Sequence, residues 1–328
     1  MRLGLIAAGL IGLVVATLLV GWYGAGEVGG ALAAVGWRGV ALVALVHVAS
    51  TLLCALGWRV LLPRQIGTIA ICAYARWVRE GVGNLLGILP VAGEIVGARL
   101  LMMIGLPRRP AVASVVADLA AEALSQAAFT LLGLALLLAD RSEIDSEWAL
   151  TLVGASIPAL SLIVAVRSRR ALRLAERIAQ ALARSLKVEL AVETASFSEA
   201  VHEVFRRRAA FAGSFIAHLA SWLVGALEIW VALAMMGHPV ELDDAVVIES
   251  LMWAIRGTLF IVPSSIGIQE AGYVLAGSLF GLSPEIALAL SLVKRARDIV
   301  LGLPALALWQ TAEGARIRRA LARPPHAS

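Results

Sequence analysis

Long apolar runs broken by short polar stretches set the pattern of this chain. Positions 3–20, 40–56, 129–138, 149–166 and 209–236 are almost free of charge. An apolar helix of roughly 20 residues spans the hydrocarbon core of a bilayer. Strand-type alternation is absent, which argues against a β-barrel. The pattern predicts full-length helices near 3–22, 40–62, 109–139, 147–166, 209–236 and 284–312. Two further stretches, 70–105 and 244–281, each read as a pair of short helical limbs around a break. The expected fold class is all-α: a polytopic membrane protein with about six full transmembrane helices plus two re-entrant helical hairpins, arranged as inverted-topology repeats.

The repeat reading comes from comparing the chain with itself. His47-Val48-Ala49-Ser50, Leu52, Ala55 and Leu56 match His218-Leu219-Ala220-Ser221, Leu223, Ala226 and Leu227 at an offset of 171. Leu89-Pro90 then meets Val262-Pro263 at 173, and Glu94, Gly105-Leu106 and Ala120 meet Glu270, Gly281-Leu282 and Ala296 at 176. On this reading residues 1–328 form one integral membrane domain. Residues 1–140 are the first inverted repeat, and 147–312 are the second. The second repeat includes a cytoplasmic amphipathic connector at 167–208, and 313–328 form a basic cytoplasmic tail.

The breaks have a physical cause. Gly87-Ile88-Leu89-Pro90-Val91-Ala92-Gly93, just after Asn84, and Ile261-Val262-Pro263-Ser264-Ser265-Ile266-Gly267, just before Gln269, each hold a proline flanked by glycine. Proline has no N–H to donate and clashes with the preceding turn, while glycine weakens helix. Unwound backbone within a membrane needs protein partners or a wet cavity. A helix that starts after such a break aims unpaired N–H groups into it, a place that favours an anion. Two occupants fit: a ligand, or the protein's own Glu94 and Glu270.

Composition strengthens the membrane reading. Hydrophobic residues make up 60% of the chain and charged residues only 16%, with a mean hydropathy of +0.87, whereas soluble domains carry about 25% charged residues. The N-terminal run is long for a secretory signal and reads as an uncleaved helix. Arg167, Arg169, Arg170, Arg173 and Arg177 open the connector, and Arg316, Arg318, Arg319 and Arg323 mark the tail. The positive-inside rule puts both, and both termini, in the cytoplasm. The net charge of +5 comes with no nucleic-acid motif, so no nucleic-acid partner is expected. Trp22, Trp37, Trp58, Trp148 and Trp309 fall near predicted helix ends, as interfacial tryptophans do.

Charges also occur deep inside apolar segments: Glu94, Arg99, Asp118 and Glu122 in the first half, Arg256, Glu270, Lys294, Arg297 and Asp298 in the second. A lone charge at the bilayer centre costs about 2.5–3.5 kcal/mol on insertion scales. These residues must therefore face one another or a polar cavity, and the sequence leaves both readings open. His47 and His218 lack ligand spacing, so interhelical hydrogen bonding is expected and no metal. Cys54 and Cys72 read as packing thiols. No P-loop, nucleophile elbow, HExxH or Cys/His cluster is present, so neither cofactor nor enzymatic activity is expected.

Arg79-Glu80-Gly81-Val82-Gly83-Asn84-Leu85-Leu86 and Leu89-Pro90-Val91-Ala92-Gly93-Glu94-Ile95-Val96-Gly97-Ala98-Arg99 resemble the first re-entrant signature of the lysylphosphatidylglycerol synthase transmembrane (flippase-like) family. Pro263-Ser264-Ser265-Ile266-Gly267-Ile268-Gln269-Glu270-Ala271-Gly272-Tyr273 resembles the second. Lys294-Arg295-Ala296-Arg297-Asp298-Ile299-Val300-Leu301-Gly302-Leu303-Pro304 is most similar to the subgroup associated with hopanoid biosynthesis. The resemblance implies movement of a polar-headed lipid, a hopanoid or its precursor, between leaflets of a bacterial inner membrane. Membrane lipids are then the partners, with lipid-biosynthesis enzymes and a second copy of the chain as further candidates. Only the basic tail follows residue 312, so synthase activity is not expected. A membrane-embedded lipid-modifying enzyme or accessory subunit, and a polyprenyl-phosphate or small-ion carrier, are the alternatives.

Overall fold

The computed structural model describes residues 25–62, 68–85, 92–140, 206–258 and 267–321, and among them every regular element is a helix. The eight helices are α1 (Ala25–Leu61), α2 (Ile69–Leu85), α3 (Ala92–Met103), α4 (Arg108–Asp140), α5 (Arg208–Met235), α6 (Leu242–Thr258), α7 (Ile268–Ser278) and α8 (Pro284–Leu321). The helices expected at 3–22 and 147–166, the connector up to 205 and the last residues of the tail lie outside the described residues. So do Gly87, Pro90, Pro263 and Ser264. Asn84 lies in the last turn of α2, Gly93 in the first turn of α3, Gly267 just before α7 and Gln269 in its first turn, so helices end and begin on either side of both expected breaks.

One boundary differs. The apolar pattern starts a helix near 40, whereas α1 begins at Ala25. Its first turns hold Glu27, Gly29, Gly30 and Arg38, which dilute the hydropathy without stopping the helix. Gly36, at φ 55° and ψ −174°, breaks the ladder between the two parts. A side chain would be strained in that left-handed backbone.

Burial departs from that of a soluble protein in two respects: charged and hydroxyl side chains join the apolar core, and large apolar side chains face outward. Asp118, Ser125, Ser214 and Ser250 are fully or almost fully buried, while Leu45, Ile216 and Leu303 stand exposed. On α1 the exposed large hydrophobics after Trp37 are Leu42, Leu45, Val48, Leu52, Leu56 and Val60, a stripe at helical spacing. His47, Ser50, Thr51 and Cys54 occupy the other side and contact neighbouring helices. An apolar outer face around an interior that also shelters charge is the arrangement a hydrocarbon solvent selects. Among the described residues three helical stretches, Val28–Leu61, Arg108–Ala139 and Arg208–Met235, are long and apolar enough to cross a membrane.

The packing pattern maps onto itself when each helix is exchanged for the one four places along. α1 packs on α2, α4 and α8, and α5 packs on α6, α8 and α4. α2 meets α3 and α8, as α6 meets α7 and α4, and α3 meets α4 as α7 meets α8. The remaining contact joins α1 to α5 themselves. Those two run antiparallel. Gly39 lies by Met235 near one end, His47 meets Glu228, Ser50 meets Ser221, and Gly57 lies by His218 toward the other end.

Small residues allow the closest crossings, as expected where lipid offers no hydrophobic drive for helix association. A Cβ on Gly81 would sit 3.0 Å from Ala305 Cβ and 3.2 Å from the Gly302 carbonyl, which fixes the α2–α8 crossing. A Cβ on Gly93 would fall 2.5 Å from the Arg79 carbonyl, so only glycine lets α3 fold back against α2.

Candidate functional site

Between the helices lies a partly open cavity of ≈ 190 Å³. α1 contributes His47 and Ser50, α2 contributes Arg76, Arg79, Glu80, Gly83 and Asn84, and α5 contributes Ser221, Trp222 and Glu228. Glu122, Glu249, Arg256, Lys294 and Arg297 complete the charged wall. Its charges fall into two groups.

The first group gathers around α2 and α4. Asp118, with no exposed surface, accepts from Arg79 Nη1 at 2.5 Å and lies 2.9 Å from His218 Nε2. Glu122 accepts a two-pronged pair from Arg76, Nη2 at 2.7 Å and Nη1 at 2.9 Å, and a third bond from Arg79 at 3.1 Å. Glu80 takes Arg76 Nε and the Thr51 hydroxyl, each at 2.7 Å. The guanidinium fork matches a carboxylate in two places at once, which suits arginine to buried pairs. Asp118 and Glu122 sit on one face of α4 at i,i+4, and Arg76 sits one turn before Glu80 on α2, so helical spacing brings them together.

The second group gathers around α5, α6 and α8. Glu228, 1% exposed, accepts from Arg297 Nη1 at 2.6 Å and lies 2.8 Å from His47 Nδ1. Glu249 accepts from Lys294 at 2.6 Å, Tyr273 at 2.9 Å and Trp253 Nε1 at 3.0 Å. His47 joins the groups, because its Nε2 lies 3.6 Å from Glu80. His47 and His218, equivalent in sequence, thus each meet a carboxylate from a different helix.

The residues singled out in the sequence divide. Glu94, Glu122, Arg256, Lys294, Arg297, Gln269, Arg79, Glu80, Asn84 and His47 line the cavity. Asp118 stands behind its wall, tied to Arg79 on one side and to His218 on the other. Asp298 lines an adjoining recess with Trp77 and Leu301, where it accepts from Asn84 at 3.1 Å. Glu270 turns back on its own helix, accepting from the Gly267 N–H at 2.7 Å and from Arg295 at 3.0 Å. It satisfies one of the orphan donors at the start of α7, so here the self-capping reading holds. Glu94 occupies the matching place in α3 but faces the cavity, with Arg79 at 3.4 Å. Arg99 lies outside the cavity, its side chain 45% exposed and paired with Glu313.

α2 supplies the cations for Asp118 and Glu122, while Glu228 and Glu249 serve Arg297 and Lys294. The sequence leaves these partners open, because position along a helix does not say which way a side chain points around it. Arg76, Glu228, Glu249 and Arg295 were not among the expected site residues. Glu228 is a single acid in the otherwise apolar α5, a signal of the kind that marked the others.

Asp118, Glu122 and His218 offer three ligand atoms within 4.8 Å of one another. The chemistry fits guanidinium rather than a metal, since Arg76 and Arg79 already occupy both carboxylates. Both free cysteines are buried.

Apolar helices around a buried charged cavity define a helical membrane protein. The chain belongs to the family described as lysylphosphatidylglycerol synthase TM region, whose model matches residues 9–305. That membership ties it to lipid handling at a membrane. No curated protein and no solved structure matches it.

Proposed function

We propose that this protein is a lipid transporter rather than an enzyme, moving the polar head of a lipid between leaflets through the central cavity while the acyl part stays in the bilayer. A hopanoid or hopanoid precursor in a bacterial inner membrane is the reading favoured by the α8 segment Lys294–Pro304. The observation that carries the proposal is the partly open charged cavity, set among helices apolar on their outer faces. A polar head inside it meets hydrogen-bonding groups in place of hydrocarbon.

The repeat relation supports a transport mechanism. α1 and α5 are sequence equivalents, lie in contact and run antiparallel. A twofold relation between two such spanning helices has its axis perpendicular to them, hence in the plane of the membrane. That is the inverted-topology arrangement of many secondary transporters, with α2–α3 and α6–α7 as re-entrant pairs. Rocking the halves about the α1–α5 contact opens the cavity to either side in turn, with both termini cytoplasmic.

The test is lipid crossing in proteoliposomes with a headgroup-quenchable lipid panel. Wild-type protein should accelerate crossing, and Glu94→Gln should slow it. No acceleration for any polar-headed lipid in the panel would sink the proposal.

A further inference from the structure

Among the cavity's cations, Arg256 stands apart. Arg76 and Arg79 hold Glu80, Glu122 and Asp118, Arg297 holds Glu228 and Asp298, and Lys294 holds Glu249. Arg256 has no carboxylate within ion-pair distance and no hydrogen bond among the described residues. Asp298 acts on it only from farther away and is itself taken by Arg297 and Asn84. The neighbouring stretch 259–266 contains no Asp or Glu.

Its place is nonetheless well fixed. The guanidinium carbon lies 4.7 Å from the centre of the Trp253 ring. Trp253 is held by its Nε1 bond to Glu249 and by the edge of Trp222, ring centres 4.7 Å apart. Stacking on a ring uses the face of a guanidinium and leaves the N–H donors along its edge. Those donors form a rigid fork that fits a carboxylate or phosphate. A positioned cation whose donors find no partner among the described residues, in the wall of a cavity whose acids are already paired, is complementary to an anion.

We propose that Arg256, stacked on Trp253, anchors an anionic oxygen group, a phosphate or carboxylate, on the headgroup that enters the cavity. The inference rests on the lipid-transport reading and narrows it, because a lipid with an uncharged polyol head leaves the fork without its counter-charge. Anionic-headed lipids therefore rank above neutral ones as ligands.

The test measures binding, not crossing, so either result stands if the other fails. Purified protein is titrated with dioctanoyl phosphatidylglycerol, with dioctanoylglycerol of the same chains, and with inorganic phosphate, and stabilisation against heat reports apparent affinity. Wild type should prefer the phospholipid over dioctanoylglycerol. Arg256→Gln should weaken phospholipid binding about ten- to a hundredfold, as expected for bonds between charged groups, and leave dioctanoylglycerol unchanged. Arg256→Lys, which keeps the charge and loses the fork, should fall between and serves if the glutamine variant does not fold. Arg38→Gln, at another arginine beside a tryptophan but outside the cavity, controls for net charge. Equal phospholipid affinity in wild type and both Arg256 variants overturns the proposal. Stabilisation by inorganic phosphate to the same degree overturns the lipid headgroup as its source.

Discussion

The hydroxyls of Ser50 and Ser221 lie 2.8 Å apart, and the two residues are each other's counterparts in the internal repeat. A residue that touches its own equivalent sits on or beside the axis relating the halves. The neighbours agree: His47 reaches Glu228, the counterpart of Gly57, while His218 packs against Gly57 itself. In the proposed inverted repeat the axis would pass through the α1–α5 contact, beside the cavity wall that Ser50 and Ser221 share.

The Ser50–Ser221 bond should be measurable but modest. Double-mutant cycles of interhelical hydrogen bonds in membranes average about 0.6 kcal/mol. Ser50→Ala, Ser221→Ala and the double variant, unfolded reversibly in mixed micelles, should give a coupling of that order. Strict additivity would place the serines in contact without an energetic link, since Ser221 also meets Cys54 at 3.0 Å.

Asp118 should be among the least replaceable residues. It is fully buried and faces Arg79, Arg76 and His218. Asp118→Asn leaves two guanidiniums short of a buried counter-charge, and breaking one partner of a buried pair costs about 3–5 kcal/mol. Arg99→Ala removes an exposed pair with Glu313 and should cost about 0–1 kcal/mol. Thermal unfolding in detergent compares them, and similar losses for both would contradict the burial argument.

The sequence disclosed the elements better than the partners. Apolar runs located α4 and α5 nearly to the residue, because a bilayer imposes length and hydropathy on each span separately. Pro90 and Pro263, with their glycines, divided the limb pairs. The start of α1 was missed because an Ala- and Gly-rich helix with Glu27 and Arg38 carries little periodic signal. Buried charge was legible in kind, since Asp118 and Arg297 are costly in hydrocarbon unless paired. Which acid meets which base was not, because pairing depends on helix rotation and crossing. Glu270 and Glu94 occupy matching positions, yet one caps its helix and the other faces the cavity.

Opposite orientation of α1 and α5 gives a labelling prediction. Arg207, beside the start of α5, donates to the Leu61 carbonyl at 3.1 Å, so that end of α5 lies beside the end of α1. His238, in the exposed turn after α5, belongs to the other side. In a background with Cys54 and Cys72 replaced by alanine, an impermeant thiol reagent applied outside the cell should label His238→Cys and spare Arg208→Cys. Labelling of both removes the orientation on which alternating exposure depends, and labelling of Arg208→Cys alone reverses the sidedness expected of the termini.

Two nearby glycines separate the cavity from the packing around it. Gly83 lines the cavity, and a Cβ there meets nothing within 4 Å, so a larger side chain can grow into open space without moving a helix. Gly81, on the same helix, has Ala305 and the Gly302 backbone where its side chain would be. Gly83→Trp should fill the passage and cut lipid crossing several-fold, with thermal stability near that of wild type. Gly81→Ala forces α2 and α8 apart and should lower stability by about 1–3 kcal/mol, the usual penalty of overpacking. Measuring crossing and unfolding on the same preparations distinguishes a blocked path from a damaged fold. If Gly83→Trp folds normally and lipid still crosses at the wild-type rate, the headgroup does not travel through this cavity.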